Sequence, residues 1–288
     1  MPETQAAQTL AVIGAGVMGC GIAALALGSG VRVALLDIDE GKLGQADTKV
    51  KRHLKTAQLM SALPAGTVPG ELVTTTSASG AADADLVIEA VTELAAVKAA
   101  ALAAISPVVR PGTPIVSNTS SIPIDELTEA VARPEDFLGT HFMNPPYLIQ
   151  TVEVIRGRRT GDEALRRLHA LLGRLGRTAV TVGDGPGFVT SRVLHPMIND
   201  AVRVVEEGTA IPEVVDALFV DCLGHRTGPL RTADLIGLDN LADSLHVLYE
   251  RTGDAGCAPR PLLLEKIRAG DLGRKSGRGF YDYGGPRS

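Results

Sequence analysis

The run Val12-Ile-Gly14-Ala-Gly16-Val-Met-Gly19 constrains this chain more than any other feature, because it closes an apolar strand-like segment and opens a helical one. In that context the G-x-G-x-x-G spacing has a physical reading. Its glycines permit a tight turn and let the backbone approach a pyrophosphate, whose charge the free N–H groups of the helix start then stabilise. A glycine run alone is weak, since a glycine turn can equally bind nothing. Here the next strand-like run ends on Asp37, whose carboxylate can accept hydrogen bonds from an adenosine ribose diol. An acid there repels a 2′-phosphate, and Ile38 supplies no compensating charge, so the expected cofactor is NAD and not NADP. Gly14, Gly16, Met18, Gly19 and Asp37 are the cofactor-binding positions this motif supplies.

Short β-rich runs alternate with Ala- and Leu-rich helical runs up to about residue 185. The strand-like runs are Thr9–Ile13, 31–36, 72–76, 86–90, 114–117, Phe137–His141, 150–155 and 178–182. Successive βαβ units with right-handed crossovers build a parallel sheet covered on both faces, so the expected class is α/β, a Rossmann-like doubly wound sheet. Gly183-Asp-Gly-Pro-Gly187 then punctuates the chain, and only helical patterns follow, at 194–207, Pro212–Leu223, 233–249 and 261–269. The expected organisation is an NAD-binding domain over residues 1–185 and a smaller all-α domain over residues 186–288.

Bulk properties exclude several classes. With 45% hydrophobic and 21% charged residues in 288, the chain has the composition of a globular protein and length enough for two domains. A formal charge of −5 without a basic run gives no electrostatic reason to bind nucleic acid. Apolar stretches such as Ala95–Ile105 are too short to span a bilayer and include Lys98. Residues 1–8 are polar and lack the plan of a signal peptide, so the expected location is cytoplasmic. Cys20, Cys222 and Cys257 are scattered without paired spacing, which fits a reducing compartment and argues against a thiolate metal site.

A second cluster runs through Ser117-Asn-Thr-Ser120-Ser121, His141-Phe-Met-Asn144-Pro145 and Thr151-Val-Glu153-Val. Ser120 and His141 fall at or just past strand ends, where open α/β sheets place ligands. Taken alone, His141 reads more readily as a satisfied structural histidine than as a base, since histidine serves both roles.

Together these residues resemble the short-chain L-3-hydroxyacyl-CoA dehydrogenases, a family that includes 3-hydroxybutyryl-CoA dehydrogenases. The resemblance runs in order from Gly14-Ala-Gly-Val-Met-Gly19 through Val87-Ile-Glu-Ala-Val91, Ser117-Asn-Thr-Ser-Ser121 and His141-Phe-Met-Asn-Pro145. It continues to Gly185-Pro-Gly-Phe188 and Gly277-Arg-Gly-Phe-Tyr281. It implies His141 as catalytic base, Glu153 as its orienting carboxylate, and Ser120 as a hydroxyl contacting substrate and nicotinamide. Further cofactor contacts are implied at Glu93, Lys98, Asn144 and Lys275, together with a homodimer paired through the C-terminal helices.

The residue types suit that chemistry. Removing a hydride from C3 of a hydroxyacyl group leaves a carbonyl only if the hydroxyl proton departs as well, and a neutral imidazole can accept it near neutral pH. A carboxylate on the other ring nitrogen fixes the tautomer and stabilises the imidazolium. Glu153 can also be read as a surface acid, since carboxylates usually face solvent.

Two departures from the family pattern bear on substrate. Ser191 stands where the family has an asparagine, so the substrate-binding contact there must differ. Residues 56–65, in a hairpin that is often lysine-rich in the family, carry no cation, although Lys49, Lys51, Arg52 and Lys55 precede them. The substrate is therefore expected to be a short 3-hydroxyacyl thioester on CoA or on an acyl-carrier protein. In the carrier version the chain resembles glyceryl-carrier dehydrogenases of polyketide extender-unit synthesis, with Arg156, Arg158, Arg159, Arg166, Arg167, Arg174 and Arg177 either facing the carrier or forming an ordinary solvated surface. A non-catalytic NAD-binding protein and a sugar-acid dehydrogenase are the remaining alternatives.

Overall fold

The computed structural model describes residues 9–284; the polar segment 1–8, expected to carry no signal peptide, lies outside the described residues. The chain divides into two compact units, Met1–Gly185 and Pro186–Ser288.

The first unit is built on β1 (Thr9–Ile13), β2 (Arg32–Leu36), β3 (Leu72–Thr75), β4 (Leu86–Glu89), β5 (Ile115–Asn118), β6 (Phe137–His141), β7 (Thr151–Arg156) and β8 (Thr178–Gly183). They form one sheet in the order β3-β2-β1-β4-β5-β6-β7-β8. Its helices are α1 (Val17–Gly28), α2 (Glu40–Leu59), α3 (Ala95–Ile105), the single turn α4 (Ile124–Leu127) and α5 (Asp162–Arg174). Every strand lies within one residue of an expected run: the buried strands read as short, largely apolar blocks between turn signals, and the more exposed edge strands β3 and β8 are marked by their β-branched residues.

The expectation of a wholly parallel sheet needs correction at one place. β1 to β6 pair in parallel, whereas β7 runs antiparallel to β6 and β8 parallel to β7. Residues 142–150 are too few for the crossover helix a parallel pair requires, so the chain turns back on itself.

α1 is apolar all round and buried from Gly19 to Gly28, as a helix enclosed within the domain core must be. It packs with Leu10, Val12, Val33, Leu35, Leu86, Ile88 and Leu138 of the strands, and with Leu168, Leu171 and Leu172 of α5. Truncating one such leucine to alanine typically removes about 2–5 kcal/mol of stability. α5 is amphipathic by contrast, burying Ala164, Leu168, Leu171 and Leu172 along one stripe. Asp162 and Glu163 in its first turn and Arg174 in its last complement the helix dipole.

The second unit is helical: α6 (Thr190–Glu206), α7 (Pro212–Leu223), α8 (Pro229–Ile236), α9 (Leu238–Thr252) and α10 (Pro261–Arg268). Its core joins Ile198, Val202, Leu230, Leu238, Leu241, Leu245 and Leu263. The single helix expected over 233–249 is in fact α8 and α9, broken at Gly237, whose φ of +96° no helix can hold. Two buried acids brace this unit. Asp216 accepts from the N–H groups of Leu230 and Arg231 and from the Tyr281 hydroxyl. Asp234 accepts from the N–H groups of Phe280 and Tyr281 and from the Tyr283 hydroxyl, and burial pushes its carboxyl above the usual range despite those donors. No helix among the described residues is long and apolar enough to cross a membrane.

Candidate active site

The glycine loop follows β1. At Gly14, with φ of +106°, an added Cβ would stand 2.7 Å from the Ala90 carbonyl oxygen, and at Gly19 it would collide with the Gly14 carbonyl. Both positions therefore demand glycine for packing alone. Gly16 differs, because nothing lies within 4 Å of where its Cβ would be. It is also the N-cap of α1, and no side chain caps the first-turn N–H groups there. Open space over unsatisfied amide donors is what a pyrophosphate requires, so the residues present fit a dinucleotide.

Asp37, at the end of β2, accepts the Ala15 N–H through Oδ2 at 2.8 Å and the Asp39 N–H through Oδ1 at 3.0 Å. Its carboxylate thus holds the loop and still has lone pairs for a diol, since an ionised carboxylate offers about four acceptor sites. Ile38 and Val17 are 95% and 64% exposed, which puts bare apolar surface beside that carboxylate and the loop.

A buried network ties the ends of the central strands. Lys98 of α3 has no exposed surface, and its Nζ donates to Glu89 Oε1 at 2.9 Å and to the Asn118 carbonyl at 2.8 Å, with Glu93 Oε2 at 3.3 Å. Glu89, at the end of β4, also accepts from Ser117 Oγ at 2.5 Å and from the Val91 N–H at 2.7 Å. Glu93 Oε1 gathers the Thr119 hydroxyl and the N–H groups of Ser120 and Ser121. Asn118 Oδ1 accepts the N–H of Phe142, the residue after His141. The implied direct cofactor contact from Lys98 does not fit this burial, because all three ammonium donors point to protein acceptors. Glu93 is part-exposed, and the hydroxyl of the half-buried Ser120 has no hydrogen-bond partner among the described residues.

His141 ends β6 and Glu153 lies opposite it on β7 as its register partner. His141 Nδ1 stands 3.1 Å from Glu153 Oε2, and both residues are 6% exposed. An ionised carboxylate can only accept, so this bond holds the hydrogen on Nδ1 and leaves Nε2 to receive a proton. β5 and β6 pair Asn118 with Thr140, so Ser120 and His141 emerge past matched positions at one edge of the sheet. Asn144, exposed and joined to Pro145 by a cis peptide bond, follows in the β6–β7 turn.

Two candidate residues belong to the second unit. Ser191 lies in the first turn of α6 and is 2% exposed, which leaves almost no surface for a substrate contact. Lys275 sits in the 3-10 turn Arg274–Ser276, with its Nζ 2.5 Å from Asp239 Oδ2.

The arginines read as a carrier surface are already committed. Arg156 pairs with Asp162, Arg158 with Asp125, Arg159 with Glu129 and Arg166 with Glu163. Arg167, Arg174 and Arg177 donate to backbone carbonyls. On α2, Lys51 pairs with Asp47, while the charged side-chain groups of Lys42, Lys49, Arg52 and Lys55 have no ion-pair or hydrogen-bond partner among the described residues.

Glu89, Asn118 and Thr119 were not among the expected site residues. Glu89 and Lys98 did leave a signal in the sequence, a carboxylate ending an apolar strand and one lysine within an alanine-rich helix. Such isolated charges inside apolar segments are seldom fully buried unless paired.

Comparison with known proteins identifies the family. Residues 9–185 match the NAD binding domain of 3-hydroxyacyl-CoA dehydrogenase, and residues 187–283 match its C-terminal domain. A probable 3-hydroxybutyryl-CoA dehydrogenase of Deinococcus radiodurans is 43% identical over 277 residues, covering 94% of this chain and 99% of that protein. Its counterpart in Bacillus subtilis is 40% identical over 276 residues, covering 94% and 96%. The crystal structure of (S)-3-hydroxybutyryl-CoA dehydrogenase from Ralstonia eutropha superposes with a TM-score of 0.86 at 37% identity, covering 96% of this chain and 99% of that one.

Proposed function

The chain belongs to the 3-hydroxyacyl-CoA dehydrogenase family, and from that premise we propose that it oxidises the C3 hydroxyl of a short 3-hydroxyacyl-CoA to a ketone, with His141 taking the hydroxyl proton. NAD, when bound, supplies the hydride acceptor. The observation that carries the assignment is the buried His141–Glu153 pair at the sheet edge it shares with Ser120. Nε2 receives the proton, and Glu153 stabilises the imidazolium that forms. The Ser120 hydroxyl donates to the oxygen at C3 and orients it. Gly14, Gly16, Met18 and Gly19 receive the pyrophosphate and Asp37 the adenosine ribose, with Glu93 and Asn144 as further cofactor contacts.

CoA is favoured over a carrier protein as the thioester, because the seven arginines are engaged within the chain while Lys42, Lys49, Arg52 and Lys55 remain available for phosphate groups. Short acyl length follows the named activity of the Deinococcus and Ralstonia relatives. The second unit provides the dimer contact: α7 leaves Leu218 55% and Val214 45% exposed, with Ile211 at its N-cap 61% exposed, and apolar surface of that kind seeks a partner. Three unpaired thiols, Cys20, Cys222 and Cys257, suit a cytoplasmic enzyme. The test is NAD reduction measured with 3-hydroxybutyryl-CoA, with the same acyl group on a carrier protein, and with free hydroxy acids. The proposal requires the CoA ester to give the highest kcat/KM, and loses its substrate assignment if either of the others does.

A further inference from the structure

We propose that Glu89 is a positioning residue for this reaction, acting through the buried Lys98 ammonium on the two loops that carry Ser120 and His141; the proposal rests on the assignment of those two residues to the chemistry. Lys98 Nζ donates to both carboxylate oxygens of Glu89 and to the Asn118 carbonyl, and it ion-pairs with Glu93 Oε2 at 3.3 Å. Each of the last two leads onward to a reacting residue. Glu93 holds the Ser120 N–H at 2.7 Å and the Ser121 N–H at 3.2 Å. Asn118 holds the N–H of Phe142, next to His141, at 3.1 Å. One ammonium is therefore a single residue removed from both loops.

The charges explain why Glu89 is needed. Two carboxylates face one ammonium, so Glu89 neutralises Lys98 and leaves Glu93 with a charge to offer the Thr119 hydroxyl and the two N–H groups. Without Glu89 a wholly buried cation, which is strongly attractive where water is absent, would have Glu93 as its sole counter-ion and would draw that carboxylate from the Ser120 loop. Stability alone does not account for the pair, since a buried ion pair can often be replaced by well-packed apolar groups without loss. Ser117 Oγ and the Val91 N–H hold Glu89 in place.

The test is a double-mutant cycle on the full-length enzyme with Glu89→Gln, Lys98→Met and the two combined, reading kcat at saturating NAD and 3-hydroxybutyryl-CoA, both KM values and the Tm. Glu89→Gln should fold and lose about tenfold to a hundredfold in kcat, the effect of small misplacements of reacting groups, with the acyl-CoA KM held within about threefold. The combined variant should match Lys98→Met in kcat, because two changes on one path do not add, and should exceed it in Tm, because Glu89 is no longer left as an unpaired buried charge. Wild-type kcat in a folded combined variant overturns the proposal, as does a loss equal to the product of the single losses. His141→Gln measured alongside separates the two ideas: full activity there removes His141 from the mechanism, whereas the cycle reports on Glu89 alone.

Discussion

His141 and Glu153 face each other across β6 and β7 as cross-strand partners, with Nδ1 of the imidazole 3.1 Å from the carboxylate. The antiparallel turn over 142–150 creates this juxtaposition, because a strand that reverses beside β6 must return a side chain opposite its last residue. Glu153→Gln keeps the shape but replaces an acceptor with an amide that can also donate, which frees the ring to adopt the other tautomer. A loss of about 10²- to 10⁴-fold in kcat is expected, with NADH affinity unchanged, and steady-state kinetics beside an NADH titration check both.

Gly16 and Gly19 should separate binding from folding. Gly19→Ala drives a methyl group into the Gly14 carbonyl, whereas Gly16→Ala meets no protein atom within 4 Å. The Gly16 variant should keep the wild-type Tm while losing NADH affinity, because its methyl group occupies the approach to the α1 amides. The Gly19 variant should lose stability first, by about 1–3 kcal/mol or more as overpacking does. Thermal melts and NADH titration of both proteins read this, and equal NADH affinity in Gly16→Ala and wild type would remove the glycine loop from cofactor binding.

Asp37→Asn tests the nucleotide preference more cleanly than truncation, because the amide oxygen can still accept the Ala15 N–H that Asp37 Oδ2 holds. Removal of the negative charge should bring NADPH affinity closer to that of NADH. A wild-type enzyme that binds the two equally would contradict the role given to this carboxylate.

A pH-dependent contribution to stability sits in the second unit. Burial raises the Glu206 carboxyl pKa, but hydrogen bonds from Arg260 and the Leu262 N–H, together with the Arg260 charge, bring it below the ordinary 4.5. A carboxyl lowered on folding stabilises above its unfolded pKa, and the gain is lost as pH falls through the folded value. Glu206→Gln should therefore melt below wild type at pH 7, by roughly the 2–4 °C that about 1 kcal/mol produces in a chain of 150–250 residues. The gap should close under acid conditions below the folded pKa, and a gap independent of pH would assign the loss to packing instead.

Much of this was legible in the sequence wherever local physics decides the outcome. The inner strands show as largely apolar blocks because both their faces are covered, the edge strands β3 and β8 through their β-branched residues, and Gly14, Gly16, Gly19 and Asp37 because a tight turn beside a strand end tolerates few residue types. The reversal at β7 was missed since an apolar block carries no mark of its direction, and the break at Gly237 since one glycine within a helical pattern is often tolerated. The family resemblance implies a cofactor contact at Lys98, and neither it nor the residue's charge carries any mark of the burial that Lys98 has in the fold. Its partners Glu89 and Asn118 lie 9 and 20 residues away and meet it only through the fold.

The central claim is that His141 accepts the proton while NAD is reduced, and the most direct measurement is kcat for 3-hydroxybutyryl-CoA in wild type and His141→Gln, followed by NADH formation, with NADH affinity determined for both. The account predicts ready turnover by the wild type, a kcat lower by about 10²- to 10⁴-fold in the variant, and equal NADH affinity. A variant that binds NADH and turns over near the wild-type rate would contradict it.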